Sequence, residues 1–307
     1  MKQTLILAVI LATRAAFAEQ AATEIDPTTV FFEKHPGTNL AGNFTPKKQP
    51  AGNKFGEIRL FSDETVIHAT YDESGKPEQI FLHNRTGEIV TGGVVYGKAG
   101  EDPKARYKVG DIRLEKNETL LGISTKDTGW LDRIYVINSE GEIYTGGAVL
   151  GGSTLNPHSR TYYGKVALEK NEHTLKMQLN EEGDLVALFS VDTDGVVYKD
   201  WVEPNKEKTP RRDRQGKITR TSDDVIAKII EDKKSGTIER IYTVNKQGDL
   251  TVHDLKSRGL ASEAAGGNAP KINTLPKFSE ALKGASASSG VMFYISKKGE
   301  ILSEDLR

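Results

Sequence analysis

The sequence predicts an all-β fold, a β-propeller of six blades built from four-stranded repeats of about 50–54 residues. Three observations predict it. First, a short phrase recurs: Gly-Glu-Ile-Arg-Leu at 56–60, Gly-Asp-Ile-Arg-Leu at 110–114, Gly-Lys-Val-Ala-Leu at 164–168 and Gly-Lys-Ile-Thr-Arg at 216–220. A weaker copy, Pro-Lys-Ile-Asn-Thr, stands at 270–274, so the steps are 54, 54, 52 and 54 residues. A period in this range marks stacked supersecondary units. Second, each copy is accompanied by a strand, a glycine turn and another strand. Third, no apolar pattern of period 3.6 lies between the copies. A β-helix would need shorter rungs, and a sandwich would not repeat.

The elements of one unit follow in order. An upstream strand is expected at 65–71, 119–125, 174–179, 225–230 and 281–286. The hairpin follows at 79–90, 133–144, 187–198, 240–251 and 291–302, with turn glycines Gly87, Gly141, Gly195, Gly248 and Gly299. Polar turn residues ending in Gly, between runs rich in Ile, Val, Tyr and Phe, are a hairpin signal, because Gly supplies the positive φ such turns need. The Gly-x-Ile-x-Leu phrase is the fourth strand. The stretch 30–40 aligns on the same hairpin through Gly37, which raises the expected count to six, with five blades as the alternative. Ring closure requires that the N-terminal segment pair beside the last blade, since an open ring exposes a sheet edge.

Residues 1–18 read as a secretory signal, with Lys2, an apolar run at 4–12 and Ala16-Phe17-Ala18 before Glu19. Residues 19–307 then form a single propeller domain. The apolar run is too short to span a bilayer, so no membrane span is expected and the protein is placed as secreted or in the secretory lumen. Lys+Arg number 42 and Asp+Glu 43; this balance argues against nucleic acid as a partner, which calls for a basic patch. Zero cysteines leave stability to the core and to ring closure, and exclude thiol nucleophiles and zinc-thiolate sites. Three sequons, at Asn43, Asn84 and Asn117, are candidate glycosylation sites. The polar linkers 98–107, 153–163, 203–215 and 256–270 read as solvated rim loops, and the run 210–214 as a protease-sensitive tip or an anion contact.

The segment Arg-Ile-Tyr-Val-x₄-Gly-Glu-Ile at 133–143, preceded by Thr-Leu-Leu-Gly-Ile at 119–123, resembles the blade of the fungal fucose-specific lectins, which are six-bladed propellers. The resemblance implies sugar sites between blades. Each would be made by a strand Arg, a Glu four residues after the turn Gly and an aromatic wall, an arrangement of donor fork and acceptor suited to adjacent hydroxyls. Carried over residue by residue, the Arg position holds Gln79, Arg133, Ala187, Arg240 and Val291. The Glu position holds Thr91, Thr145, Lys199, Val252 and Ser303. No unit keeps both, and only Trp130 and Trp201 remain as tryptophans. The expectation is an inherited fold without fucose sites. Arg133 and Arg240 then read either as ligand contacts or as bridges to a carboxylate on a neighbouring blade.

Aligning the upstream strands on their acidic starts places His68, Gly122, Lys176, Ala227 and Gly284 in one column facing the central tunnel. That column is either a cavity with two titratable groups or close packing at the axis with two polar side chains in water. His68, Lys176, Arg133 and Arg240 are therefore the candidate catalytic residues. There is no Gly-x-Ser-x-Gly elbow, His-Glu-x-x-His, phosphate loop or dinucleotide fingerprint, so any chemistry is expected to need no cofactor. Three function classes follow. One is a cofactor-free enzyme, similar to the propeller-type fungal hetero-Diels–Alderases of tropolone–terpenoid biosynthesis, which would orient a polyketide or terpenoid substrate and polarise a carbonyl. Another is a secreted lectin with degenerate fucose sites and a glycan ligand. The third is a protein-interaction ring. The absent Arg/Glu pairs favour the enzyme.

Overall fold

In the computed structural model the described residues are 30–32, 53–71, 77–95, 102–255 and 291–305, apart from short interruptions. All their regular structure is strand. The N-terminal segment gives β1 (Val30–Phe32) and β2 (Asn53–Glu57). The first full repeat gives β3 (Glu64–Tyr71), β4 (Pro77–Asn84), β5 (Glu88–Gly92), β6 (Val94–Val95) and β7 (Arg106–Asp111). The second gives β8 (Glu118–Thr125), β9 (Leu131–Asn138), β10 (Glu142–Gly146), β11 (Ala148–Val149) and β12 (Arg160–Lys165). The third gives β13 (His173–Leu179), β14 (Leu185–Val191), β15 (Val196–Trp201) and β16 (Arg212–Lys217). Then come β17 (Val225–Asp232), β18 (Thr237–Val244), β19 (Leu250–Asp254), β20 (Val291–Ile295) and β21 (Glu300–Asp305).

The strands pair into a propeller arrangement of antiparallel sheets. Sheet I runs β3-β4-β5-β7 with β11 added at its outer edge; sheet II is β8-β9-β10-β12, and sheet III is β13-β14-β15-β16. Sheet IV shows β17-β18-β19, and sheet V runs β1-β20-β21-β2 with β6 added. Four sheets are thus complete blades and a fifth shows three strands among the described residues. The six-blade expectation is not met. Its extra member rested on the N-terminal stretch 30–40, of which 33–40 lie outside the described residues; Val30 of β1 pairs with Ile295 of β20, and β2 pairs with β21. The two ends of the chain therefore share sheet V, as ring closure requires. Gly37, Gly248, and the strand expected at 281–286 lie outside the described residues.

Each hairpin strand is apolar on both faces because each sheet is covered on both sides. In β9, Ile134 and Val136 join the core between sheets I and II, while Tyr135 and Ile137 join that between II and III. Similar cores join sheets III and IV and sheets V and I, and Leu302 of sheet V closes onto the III/IV core.

The two recurring phrases are bonded to each other. The Gly87, Gly141, Gly195 and Gly299 carbonyls accept from the amides of Ile112, Val166, Ile218 and Ile58 at 2.7, 2.9, 2.8 and 2.7 Å. Each of these apolar residues is the first after its outer strand, and each plugs the core against the next sheet. The turn glycines have φ between +78° and +88°. An Asx contact completes the turn: the side-chain oxygens of Asn84, Asn138 and Asp192 accept from the amides of Glu88, Glu142 and Val196 at 2.9, 2.9 and 2.8 Å.

An arginine then clamps each connector. Arg106 Nε and Nη2 donate to the two Glu64 oxygens at 2.6 and 2.7 Å, and Nη2 also to the Arg59 carbonyl at 2.7 Å. Arg160 repeats this on Glu118 at 2.8 and 2.6 Å and on the Arg113 carbonyl. In sheet III Arg212 holds Glu172 at 2.5 Å and the Ala167 carbonyl. That third clamp differs. Opposite Arg106 and Arg160 in register stand Gly92 and Gly146, but opposite Arg212 stands Asp200. Asp200 is fully buried, its nearest Arg212 nitrogen is 3.9 Å away, and the guanidinium lies over the Tyr198 ring at 3.9 Å. Burial pushes the Asp200 carboxyl up to about 6 against the pull of Arg212.

Two outcomes test these features. Gly141→Ala adds a Cβ that would collide with the Val166 carbonyl oxygen, whereas Gly151, of similar φ (+80°), has open space. Gly151→Ala should cost about 1 kcal/mol from backbone conformation alone and Gly141→Ala at least about 1 kcal/mol more; equal melting shifts would contradict the packing described. Because the folded carboxyl of Asp200 holds its proton more tightly than an unfolded one, its contribution is present near pH 4 and lost as pH rises through about 6. Asp200→Asn should stabilise the protein at pH 7 by up to about 3 kcal/mol and change little at pH 4, read from denaturant midpoints at the two pH values.

Candidate functional site

The four sequence-named residues are not gathered into one pocket. They occupy four different sheets: His68 on β3, Arg133 on β9, Lys176 on β13 and Arg240 on β18. His68 is buried against Phe81, ring centroids 5.6 Å apart, beside the I/II core. Burial lowers its pKa to about 4, so it is neutral at physiological pH. Arg133 is spent across the II/III boundary on Asp184, with Tyr135 beside it donating to the Gly183 carbonyl at 2.9 Å; the Tyr135 and Asp184 bonds raise its pKa. It is thus an inter-sheet bridge. Arg240 lies half-buried opposite Ile230 and Asp254.

The column itself needs one correction. Inner strands carry a bulge after Val66, Leu120, Thr174 and Ile226, a local extra residue that shifts the alternation. The residues opposite Phe81, Tyr135, Phe189 and Tyr242 are His68, Gly122, Lys176 and Lys228, so Ala227 is the bulge residue and does not belong to the column. Gly284 lies outside the described residues.

A cluster of charged and aromatic groups lies at the boundary between sheets III and IV. In sheet III, Lys176, Phe189 and Lys199 stand opposite one another across β13, β14 and β15, and the next row is Gln178, Ala187 and Trp201. Side chains in register on neighbouring strands share a face, and this face meets sheet IV, where Phe189 packs. Both lysines are 1 % exposed. Lys176 Nζ lies 3.1 Å from Glu231 Oε2 on β17, yet neither Lys176 Nζ nor Glu231 Oε1 makes a hydrogen bond of sound geometry among the described residues. Lys199 Nζ donates to the Gly236 carbonyl at 2.6 Å and sits 3.9 Å from the centroid of the Trp201 indole, a cation–π contact. Burial lowers the Lys199 pKa, with Glu231 and Asp213 opposing. Trp201 is half-buried, its Nε1 donates to Asp213 at 2.8 Å, and Arg211 flanks it on the exposed side.

Sequence reasoning reached Lys176 but passed over Lys199, Glu231, Gln178 and Trp201 as a group. The signal available was Lys199 itself: a lysine where the resemblance calls for a carboxylate, in a row whose other members are Thr91, Thr145 and Val252.

Of the sequons, Asn43 lies outside the described residues. Asn84 is a turn brace: its Nδ2 donates to Glu88 at 3.1 Å, and its Oδ1 accepts from the Glu88 amide and the Thr86 hydroxyl. The same bracing is done by Asn138, which is in no sequon. Asn117 is exposed on the connector into β8. No group of three or more His, Cys, Asp or Glu suited to a metal ion occurs among the described residues, and no helix among them is long and apolar enough to cross a membrane. Compared with protein-family models and with curated proteins, the chain matches neither.

Expressed through a eukaryotic secretory route, the protein should carry glycan at Asn117 in preference to Asn84. Glycopeptide mass spectrometry reads the occupancy; high occupancy at Asn84 with unchanged thermal stability would contradict the bracing role.

Proposed function

We propose that this chain is a secreted, cofactor-free propeller that binds a small organic molecule in the groove between sheets III and IV and orients it for reaction, in the manner of the propeller-type hetero-Diels–Alderases. The observation that carries this reading is the pair of buried ammonium groups, Lys176 and Lys199, beside the Trp201 indole. An ammonium held out of water polarises a carbonyl or quinone-methide oxygen strongly, because the low local dielectric strengthens the interaction and the donor is already in place. The aromatic face supplies a flat wall against which an apolar partner is held in reacting geometry. A cycloaddition asks little more of a protein. His68, Arg133 and Arg240 have no part in this site, since each lies at a different sheet boundary.

The lectin reading is weaker on the same grounds. In the III/IV groove its acceptor position is a donor, Lys199, and its Arg position is Ala187. In the II/III groove, Arg133 is already paired with Asp184. A sugar hydroxyl placed there loses its acceptor, at a cost of about 1–3 kcal/mol.

The test is the product ratio of a tropolone quinone methide with a humulene-type alkene, with and without the purified protein. One stereoisomer should be enriched, and Lys199→Gln should return the mixture towards the uncatalysed ratio. An unchanged ratio would remove the enzyme reading for this reaction, and micromolar binding of fucose in calorimetry would restore the lectin.

A further inference from the structure

We propose that the III/IV groove selects an anionic ligand: an oxyanion head group, carboxylate or phenolate in type, seated between Lys176 and Lys199, carried on a flat apolar body that lies against Trp201. This inference rests on the reading of that groove as the binding site and adds the charge of what it takes.

Equivalent sheet boundaries differ in their balance of charge. At the I/II boundary the corresponding positions are neutral: His68, which burial keeps unprotonated, Gln79 and Thr91. At the II/III boundary the cation Arg133 meets two carboxylates, Asp184 and Asp132. At III/IV two ammonium groups are each 1 % exposed, and among the described residues the carboxylate within ion-pair distance of either is Glu231, on Lys176. The partners of Lys199 are a backbone carbonyl and an indole face. Neither neutralises a charge, and an ammonium removed from water is costly unless it is paired.

The second observation is independent of charge count. Lys176 Nζ, 3.1 Å from Glu231 Oε2, and Glu231 Oε1 are both buried and make no hydrogen bond of sound geometry among the described residues. Native interiors leave few such atoms without a partner. An oxyanion between the two lysines would accept from both, drawing Lys176 away from Glu231. Gln178, on the same face, adds an amide donor, and its Nε2 comes within 2.9 Å of where a Gly236 Cβ would be. The half-buried Trp201 lies at the outer end of this face, where the exposed Arg211 is paired with Asp213 at 2.8 Å.

The test uses Trp201 as its own reporter. Trp130 is 64 % exposed and is the other of the two tryptophans, so Trp130→Phe leaves a single indole in the groove. In that background benzoate should change Trp201 emission saturably, and neutral benzamide, of the same shape, should bind at least about tenfold more weakly. Lys199→Gln should weaken benzoate at least about tenfold. Glu231→Gln, which removes the competing carboxylate, should tighten benzoate several-fold, a gain that a merely structural role does not predict and that misfolding cannot mimic. Equal responses to benzoate and benzamide, or weaker benzoate binding in folded Glu231→Gln, would overturn the anionic preference while leaving the groove as a binding site. A response to neither probe overturns the preference too, and the groove reading is then decided by the stereoisomer ratio above.

Discussion

The fold depends on one short hydrogen bond repeated around the ring: the carbonyl of each hairpin-turn glycine accepts from the amide of the residue that ends the outer strand. That bond does two things. It extends the outer strand's ladder by one step, and it fixes where the chain leaves one sheet for the next. The residue so held is Ile58, Ile112, Val166 or Ile218, and its side chain is buried in the boundary it crosses. Turn geometry and inter-sheet packing are therefore one constraint. Only a glycine satisfies it, because the turn needs positive φ and the carbonyl it faces leaves no room for a Cβ.

On this frame the arginine clamps set the approach of the connectors, and their variation is informative. In sheets I and II a glycine opposite the arginine lets the guanidinium lie flat on a glutamate, with its remaining protons on a backbone carbonyl. In sheet III Asp200 takes that glycine's place and the guanidinium tilts onto Tyr198. The same sheet, on its other face, carries Lys176 and Lys199. Sheet III thus holds buried charge on both sides; at the matching positions sheets I and II hold His68 and Gly122, Thr91 and Thr145, and Gly92 and Gly146. Charge of this kind is expensive to keep in a core, and its concentration in one repeat marks that repeat as the place where the ring departs from pure architecture.

Much of the architecture was legible in the sequence. The turn glycines and the Gly-x-Ile-x-Leu phrase each carry a local conformational demand, so the hairpins, the upstream strands of the first four repeats and the joining of the two chain ends could be placed from residues alone. The clamps were not legible. Glu64 and Arg106 are 42 residues apart, as are Glu118 and Arg160, and a pair at that separation has no local signature. The inner-strand column slips by one at Ala227 when that strand is counted from Asp223; counted from Asp224, the equivalent of Glu64, Glu118 and Glu172, its member is Lys228, as the bulge shared by all four strands requires.

By itself, then, the sequence determined the repeat, the strands, the sites of positive φ and the loss of paired Arg and Glu at the lectin-like positions, because these are properties of residues near one another along the chain. Tertiary structure alone decided the rest. It spread His68, Arg133, Lys176 and Arg240 over four sheets and brought Lys176, Lys199 and Glu231 together at one sheet boundary. Those outcomes follow from which faces meet across sheet boundaries, and a face-to-face contact between repeats some fifty residues apart is written in no single stretch of sequence.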